Sequence, residues 1–315
     1  IDEEEKLIGT ITDGDIRRAI IQHKTMNTPL RDIMYADPVY GSPDLSNESI
    51  HLMMKTKGIL HLPIVDEDHK IIDLKVTNVA SELKKYENPV FLMSGGLGTR
   101  LHPLTHDTPK PLLNVGGKPI LEIILEQFVE AGFYNFFIST HFKMNMIMDY
   151  FGNGSKWNVD IQYIFEAKPL GTAGALGLLP NNLPPIPIIM MNGDVLTKID
   201  FEKLLDNHLK QQCIATTCVC EYSFQVPYGV VQIENHRLKA IVEKPTKKYF
   251  INAGIYVLDP SILESVDGNN YLDMPALLER QIQLGNNINP FPIHEYWLDI
   301  GAKEDYEQAN LDILD

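Results

Sequence analysis

The sequence predicts an α/β chain: a Rossmann-like, mostly parallel, doubly wound sheet over residues 88–315, preceded by a smaller α/β region over residues 1–86. Three observations carry this. Short apolar runs alternate with helix-like segments after Pro89. A glycine-rich turn follows an apolar run directly. The rhythm of the chain changes at the polar stretch Tyr86-Glu87-Asn88-Pro89, read as a linker.

In chain order, residues 7–23 read as a short strand, a turn and a helix. Residues 30–34 open a second unit, 46–57 form a helix, 62–66 a strand, and 71–86 close it. After the linker, Val90-Phe91-Leu92-Met93 is a strand, and 120–131 is a helix ended by Gly132 in the position of a C′ glycine. Strands at 136–139, 160–165, 187–191 and 213–222 alternate with helices at 144–151, 174–179 and 201–212. The glycine turn and Asp194 both follow strand carboxyl ends, where open α/β sheets bind ligands.

The run Ser94-Gly95-Gly96-Leu97-Gly98-Thr99-Arg100, with Lys110 ten residues on, has the chemistry of a phosphate cradle. Glycines let backbone N–H groups close on phosphate oxygens, and an arginine and a lysine add charge. The run is not a P-loop, because no Gly-x4-Gly-Lys-Ser/Thr string starts there. It is not the dinucleotide fingerprint either: from Gly96 the third glycine falls on Leu101, which argues against a nicotinamide dehydrogenase.

Seven separated segments resemble, in order, the signatures of the sugar-1-phosphate nucleotidyltransferases. They are residues 95–100, Lys110, Leu170-Gly171-Thr172-Ala173-Gly174, Asn192-Gly193-Asp194, Glu243-Lys244-Pro245, Asn252-Ala253-Gly254-Ile255-Tyr256 and Trp297-Leu298-Asp299-Ile300-Gly301. The resemblance implies transfer of a nucleotidyl group from an NTP to a sugar 1-phosphate, with release of pyrophosphate. Arg100, Lys110 and Lys244 are the implied catalytic cations. Ser94, Gly95, Gly96, Gly98, Thr99, Glu166, Gly171 and Thr172 would meet the nucleotide, and Gly229, Glu243, Asn252 and Gly254 the sugar. Asp194 and Asp299 match the family's metal ligands and suit Mg²⁺, which prefers oxygen ligands and one or two protein carboxylates. No general base is needed, because the attacking phosphate oxygen is already anionic.

Glu166 stands where the family contacts the base edge. A carboxylate there accepts from guanine N1–H and N2–H together, whereas thymine or uracil offers one N–H between two carbonyls. GTP is therefore favoured over UTP, CTP and dTTP, the alternative being an exposed Glu166 with no base contact. No hexapeptide repeat follows Trp297, so the β-helix acyltransferase domain of some family members is not expected.

The first region resembles CBS (cystathionine-β-synthase-type) modules: the last part of one over residues 1–27 and a second over 28–86. In such modules a Thr and an Asp spaced as Thr12 and Asp15 hold the phosphate and ribose of an adenine nucleotide. The matching places in the second module are Val76 and Val79, which cannot. Two alternatives stay open: Asp15 only caps its helix, or the pair is purely dimerising. CBS modules ahead of this transferase resemble a bacterial subgroup associated with legionaminic acid synthesis. On that resemblance glucosamine 1-phosphate is the first expectation and mannose 1-phosphate the second. An adenine-nucleotide sensor built on a non-catalytic transferase scaffold is the competing function.

With 315 residues and 44% hydrophobic content the chain can bury substantial cores. A net charge of −15 argues against nucleic acid, and no apolar run suits a membrane span. Cys213, Cys218 and Cys220 read as buried thiols of a reducing compartment, and NTP chemistry suits the cytoplasm. A homo-oligomer is expected, since CBS modules pair.

Overall fold

A computed structural model of the chain describes residues 1–2, 4–25, 27–76, 85–96 and 98–313. It divides into two compact units, residues 1–83 and 84–315.

The first unit contains α1 (Asp13–Ile21), α2 (Asn47–Lys57) and the antiparallel pair β1 (His61–Val65) and β2 (Ile71–Val76). Ile50 and Met54 of α2 close over Leu62 and Ile64 of β1 as a small core. The strand expected ahead of α1 is reduced to isolated bridges, Lys6 with Lys70 and Thr10 with Tyr35. Gly9 lies so close to Met34 and the Tyr35 carbonyl that a Cβ would sit 2.7–2.8 Å from them. Contact there is by packing, and a continuous ladder does not form. Val79 lies outside the described residues.

The second unit runs β3 (Val90–Met93), the two-residue strands β4 (Asn114–Val115) and β5 (Lys118–Pro119), α3 (Ile120–Glu130), β6 (Asn135–Thr140), α4 (Met144–Phe151) and β7 (Asp160–Phe165). Then come α5 (Gly171–Gly174), β8 (Ile188–Asn192), β9 (Val195–Thr197), α6 (Phe201–Gln211) and β10 (Ala215–Gln225). The chain finishes with β11 (Val230–Glu234), β12 (Arg237–Val242), β13 (Thr246–Leu258), α7 (Met274–Gln283), β14 (Ile288–Ile293), β15 (Trp297–Asp299) and α8 (Lys303–Asp312).

Seven strands form one sheet in the order β14-β10-β13-β8-β3-β6-β7. All neighbours are parallel except β13, which runs antiparallel to both β10 and β8. The expected mostly parallel sheet is therefore present. Its two faces feed two cores, as the period of a strand requires. Val90, Leu92, Phe136, Ile138, Ile189 and Met191 enter one, while Phe91, Phe137, Ile188 and Met190 enter the other. On the first face Phe128 of α3 stacks on Phe201 of α6 at 3.8 Å between ring centroids.

Two local expectations change. Residues 174–179 are not an α-helix: α5 gives way to a 3₁₀ turn over Ala175–Leu178. The reason is tertiary. Gly177 packs so tightly on Gly268 that a Cβ would lie 2.2 Å from its backbone nitrogen. Tyr86 is not free linker. It is buried, it stacks on Phe133 at 4.7 Å, and its N–H donates to the Gly132 carbonyl at 3.0 Å. No helix among the described residues is long and apolar enough to cross a membrane.

The three cysteines are buried and none is in a disulfide. Cys213 lies beside buried His208, whose Nδ1 is 3.0 Å from the Thr216 hydroxyl and 3.5 Å from the thiol sulfur. Burial pushes the His208 imidazole below its usual 6.5, only partly offset by the charge of Asp259. A lowered histidine stays neutral in the fold, while the unfolded chain takes up the proton first. Stability from this group is thus present above pH 6.5 and lost as pH falls from 6.5 through the lowered value. Urea midpoints are expected to drop across that window, and the drop is expected to be smaller in His208→Gln.

Candidate active site

β8, β3, β6 and β7 are mutually parallel neighbours, so their carboxyl ends share one edge. The segments that leave them begin at Gly193, Ser94, His141 and Glu166. Along this edge Asn192 Oδ1, Ser94 Oγ and Thr140 Oγ1 are buried without a hydrogen-bond partner among the described residues. Buried polar atoms are nearly always paired. Three orphans on adjacent strand ends therefore point to a bound ligand or water.

The glycine turn does not feed a helix N-terminus. Gly98, at φ +65°, enters a 3₁₀ turn over Thr99–Leu101, and α3 starts only at Ile120. Phosphate binding here would fall to loop amides and side-chain cations, without the helix dipole. Gly98 is fixed from two directions: Thr105 Oγ1 donates to its carbonyl at 2.8 Å, and its α-carbon packs on Lys110. Leu97 lies outside the described residues.

Lys110, nearly buried, opens the 3₁₀ turn Lys110–Leu112, and its ammonium is ion-paired with the Asp194 carboxylate. Asp194 is placed by its neighbours. The Gly193 N–H donates to the Met93 carbonyl at 2.8 Å, and Ile300 N–H donates to the Asp194 carbonyl at 3.0 Å. Antiparallel pairing of β9 with β15 sets Asp299 opposite Val195, beside Asp194. Burial, then the charge of Asp194, raise the Asp299 carboxyl above the usual range, against the pull of Lys110 and Arg100. Gly301 sits among these groups: a Cβ there would lie 3.2 Å from Arg100 Nη1, 3.5 Å from Asp305 Oδ2 and 3.6 Å from Asp299 Oδ2. Two carboxylates in mutual repulsion, in a half-buried place beside two cations, form a donor set that fits a hard divalent cation.

Gly95 lies on Glu166: its Cβ would be 2.6 Å from Oε1. Glu166 is buried, with Oε1 accepting from the Ser139 hydroxyl and Oε2 from Leu170 N–H at 3.0 Å. Gly254, at φ +72°, backs onto Asn192, and Trp297 Nε1 donates to the Ala253 carbonyl at 2.9 Å. Asn252 is occupied locally, accepting from Gly254 N–H at 3.2 Å and donating to the Tyr256 hydroxyl at 2.6 Å.

Other expected residues stand differently. Thr172 is committed to the start of α7: its N–H donates to Asp273 Oδ1 at 3.0 Å, and its hydroxyl accepts from Met274 N–H at 2.8 Å. Gly171, at φ +77°, lies where a Cβ would be 2.6 Å from the Leu272 carbonyl. Gly229 and Glu243 meet across the β11–β12 ribbon, with a Cβ on Gly229 falling 2.8 Å from Glu243 Oε2. Lys244 is exposed at φ +45°, its N–H donating to the Tyr228 carbonyl at 3.2 Å. Gly96 is open around its α-carbon, and Thr99 starts the 3₁₀ turn.

In the first unit, Asp15 Oδ2 accepts from the Thr12 N–H at 2.8 Å and hydroxyl at 2.6 Å, and Oδ1 pairs with Arg18. The Asp15 carboxyl is lowered despite its burial, by the Thr12 hydrogen bonds and Arg18. Asp15 thus serves as the reverse half of a capping box.

Sequence reasoning passed over Asp273, Ser139 and Asp305, whose carboxylate accepts from Ala302 N–H at 2.7 Å and Gly301 N–H at 3.1 Å. Asp305 alone carried a local signal, an acid at the third position of a helix. Gly171→Ala adds both backbone strain and a carbonyl clash, so it is expected to destabilise the second unit by about 1–3 kcal/mol in urea unfolding.

A family model described as nucleotidyl transferase matches residues 90–315, and one described as CBS domain matches residues 30–74. Among curated proteins, the mannose-1-phosphate guanylyltransferase of Mycobacterium tuberculosis is 30% identical over 234 residues, covering 71% of this chain and 64% of that protein. The mannose-1-phosphate guanylyltransferase catalytic subunit beta of Drosophila pseudoobscura is 35% identical over 228 residues, covering 68% and 59%. The chain spans about three fifths of the length of these relatives. Crystal structures of HddC from Yersinia pseudotuberculosis, one complexed with GMP-PN, superpose with a TM-score of 0.57 at 28% identity, covering 72% of this chain and 99% of that one.

Proposed function

We propose that this chain, which belongs to the sugar-1-phosphate nucleotidyltransferase family and carries a CBS domain, transfers a guanylyl group from GTP to a hexose 1-phosphate. The observation that carries the reading is the convergence of Arg100, Lys110, Asp194 and Asp299 beside the glycine turn at one sheet edge. A phosphate oxygen of the sugar forms a bond to the α-phosphorus of GTP. The bond from that phosphorus to the bridging oxygen breaks, and pyrophosphate leaves with the electron pair. Two polyanions must meet, so the protein's work is charge neutralisation and alignment.

Lys110 would hold the α-phosphate, and Arg100 the charge that grows on the leaving pyrophosphate. Asp194 and Asp299 would hold Mg²⁺, which when bound neutralises phosphate charge. Lys244, with Glu243 and Gly229 on the ribbon, would reach the sugar phosphate, and Asn252 and Gly254 the sugar hydroxyls. Glu166 would accept from guanine N1–H and N2–H. The names of the matched relatives support guanine as the base and put mannose 1-phosphate ahead of glucosamine 1-phosphate. The CBS region would serve as a regulatory or dimerising arm. An adenine nucleotide bound at Thr12 and Asp15 would have to displace Arg18.

The test is pyrophosphate release with Mg²⁺ over GTP, UTP, CTP, dTTP and ATP against mannose, glucosamine, N-acetylglucosamine and glucose 1-phosphates. Turnover is expected with GTP and mannose 1-phosphate, and Asp194→Asn should lower kcat by about 10²–10³-fold. Activity with another nucleotide keeps the transfer reading and removes the role given to Glu166. Silence across the grid, with folded protein, favours the sensing scaffold. Gly301→Ala needs no strained backbone, so it should leave the urea midpoint nearly unchanged. By crowding Arg100 it should lower kcat/KM by about tenfold, measured in the same assay.

A further inference from the structure

We propose that Ser139 is a specificity-determining positioning residue: its hydroxyl fixes the plane of the Glu166 carboxylate so that Glu166 can tell guanine from hypoxanthine. This rests on the guanylyl-transfer reading above. Ser139 is fully buried near the carboxyl end of β6, and its hydroxyl donates to Glu166 Oε1. Oε2 accepts from Leu170 N–H at 3.0 Å, at the entry to the Leu170–Gly174 segment. The backbone ties the carboxyl ends of β3, β6 and β7 together. Ser94 N–H donates to the Ser139 carbonyl at 3.1 Å, and Glu166 N–H donates to the Thr140 carbonyl at 2.9 Å. Nδ1 of His141 lies 2.7 Å from the Glu166 carbonyl.

The backbone of Glu166 is thus fixed, but its last torsion is not. The terminal torsion of a glutamate is broad and twofold, so the carboxylate plane follows its hydrogen-bond donors. A carboxylate offers about four lone-pair directions. Ser139 and Leu170 take one on each oxygen, which leaves one on each for the adjacent N1–H and N2–H of guanine. Gly95, whose α-carbon rests on Oε1, leaves the carboxylate no room to swing toward the loop. Without the serine hydroxyl only the Leu170 bond remains, and the plane can turn about it. The residue predicted to suffer is then not the phosphate chemistry but the base reading.

The experiment compares GTP with ITP, which keeps N1–H and lacks the exocyclic amino group. Kd values for both nucleotides with Mg²⁺ are measured by calorimetry, and kcat and KM in the pyrophosphate assay, for wild type, Ser139→Ala and Ser139→Thr. Wild type is expected to prefer GTP. In Ser139→Ala the GTP/ITP ratio should fall by about tenfold, the scale of one hydrogen bond to a charged group, with kcat at saturating GTP little changed. Ser139→Thr, which keeps the hydroxyl, should restore the ratio. A Ser139→Ala protein that binds both nucleotides more weakly by one common factor overturns the proposal, as does one with the wild-type ratio. If Ser139→Ala does not fold, Ser139→Cys keeps the volume with a weaker donor, and an unchanged ratio there overturns it equally. Wild type that binds GTP and ITP alike removes guanine reading by Glu166, and the role of Ser139 with it. Selective wild-type binding of GTP without turnover removes the transfer reading, while the binding ratios still decide the role of Ser139.

Discussion

The ion pair between the Lys110 ammonium and the Asp194 carboxylate is the contact on which the functional edge of the second unit depends. Charges taken out of water are tolerated only when paired, and removing one partner of a buried pair costs about 3–5 kcal/mol. Each partner is therefore held by structure that serves little else. Lys110 is fixed through Gly98 and Thr105 of the glycine turn, and Asp194 through Gly193 against β3 and the Ile300 N–H from beyond β15. Asp299 adds a second negative charge beside the pair, and burial, then the charge of Asp194, raise its carboxyl against the pull of Lys110 and Arg100. Under the proposed function Lys110 would hold phosphate, and Asp194 and Asp299 would hold the divalent cation.

The glycines divide into two classes with different physics. Gly95, Gly98 and Gly301 stand where a side chain would meet Glu166, Lys110 or Arg100, so they protect the positions of charged groups. Gly171, Gly174 and Gly177 stand against the backbone of residues 266–273 and let two chain segments touch. The Leu170–Gly174 motif is in this respect a packing device. It carries Leu170 N–H to Glu166 and ties Thr172 to α7, and so helps position the Glu166 carboxylate.

What the sequence made legible follows from range. α4 and β7 match their expected bounds, because apolar periodicity over eight and six residues is a local property. The carboxyl-end placement of the glycine turn and Asp194 was legible from strand order alone. The neighbourhood of Asp194 and Asp299 was not a local property: it arises from pairing β9 with β15 across roughly a hundred residues. The same holds for Thr172 with Asp273 and for Ser139 with Glu166. Residues 174–179 were misread because helix propensity was overridden by the close approach of Gly177 to Gly268. The segments that resembled a family named single residues, while the partners of those residues came only from the fold.

At Lys244 the backbone is held more firmly than the side chain. No ion pair joins its ammonium to Asp194 or Asp299 among the described residues. Its φ of +45° is costly for a residue with a Cβ, by about 1–3 kcal/mol, and such a conformation persists only where surrounding structure over-determines it. Here the ribbon does so. β11 and β12 pair from Val230↔Val242 to Glu234↔Arg237, and the Tyr228 carbonyl takes the Lys244 N–H just outside the ladder. On the other side Val226 N–H donates to the Pro245 carbonyl at 3.0 Å. Bracketed by those two bonds, the backbone at Lys244 has little freedom, which fixes the direction of its Cα–Cβ bond. An exposed lysine normally loses much side-chain entropy on meeting a phosphate. In the proposed role of Lys244, fixing the root of the chain would lower part of that cost.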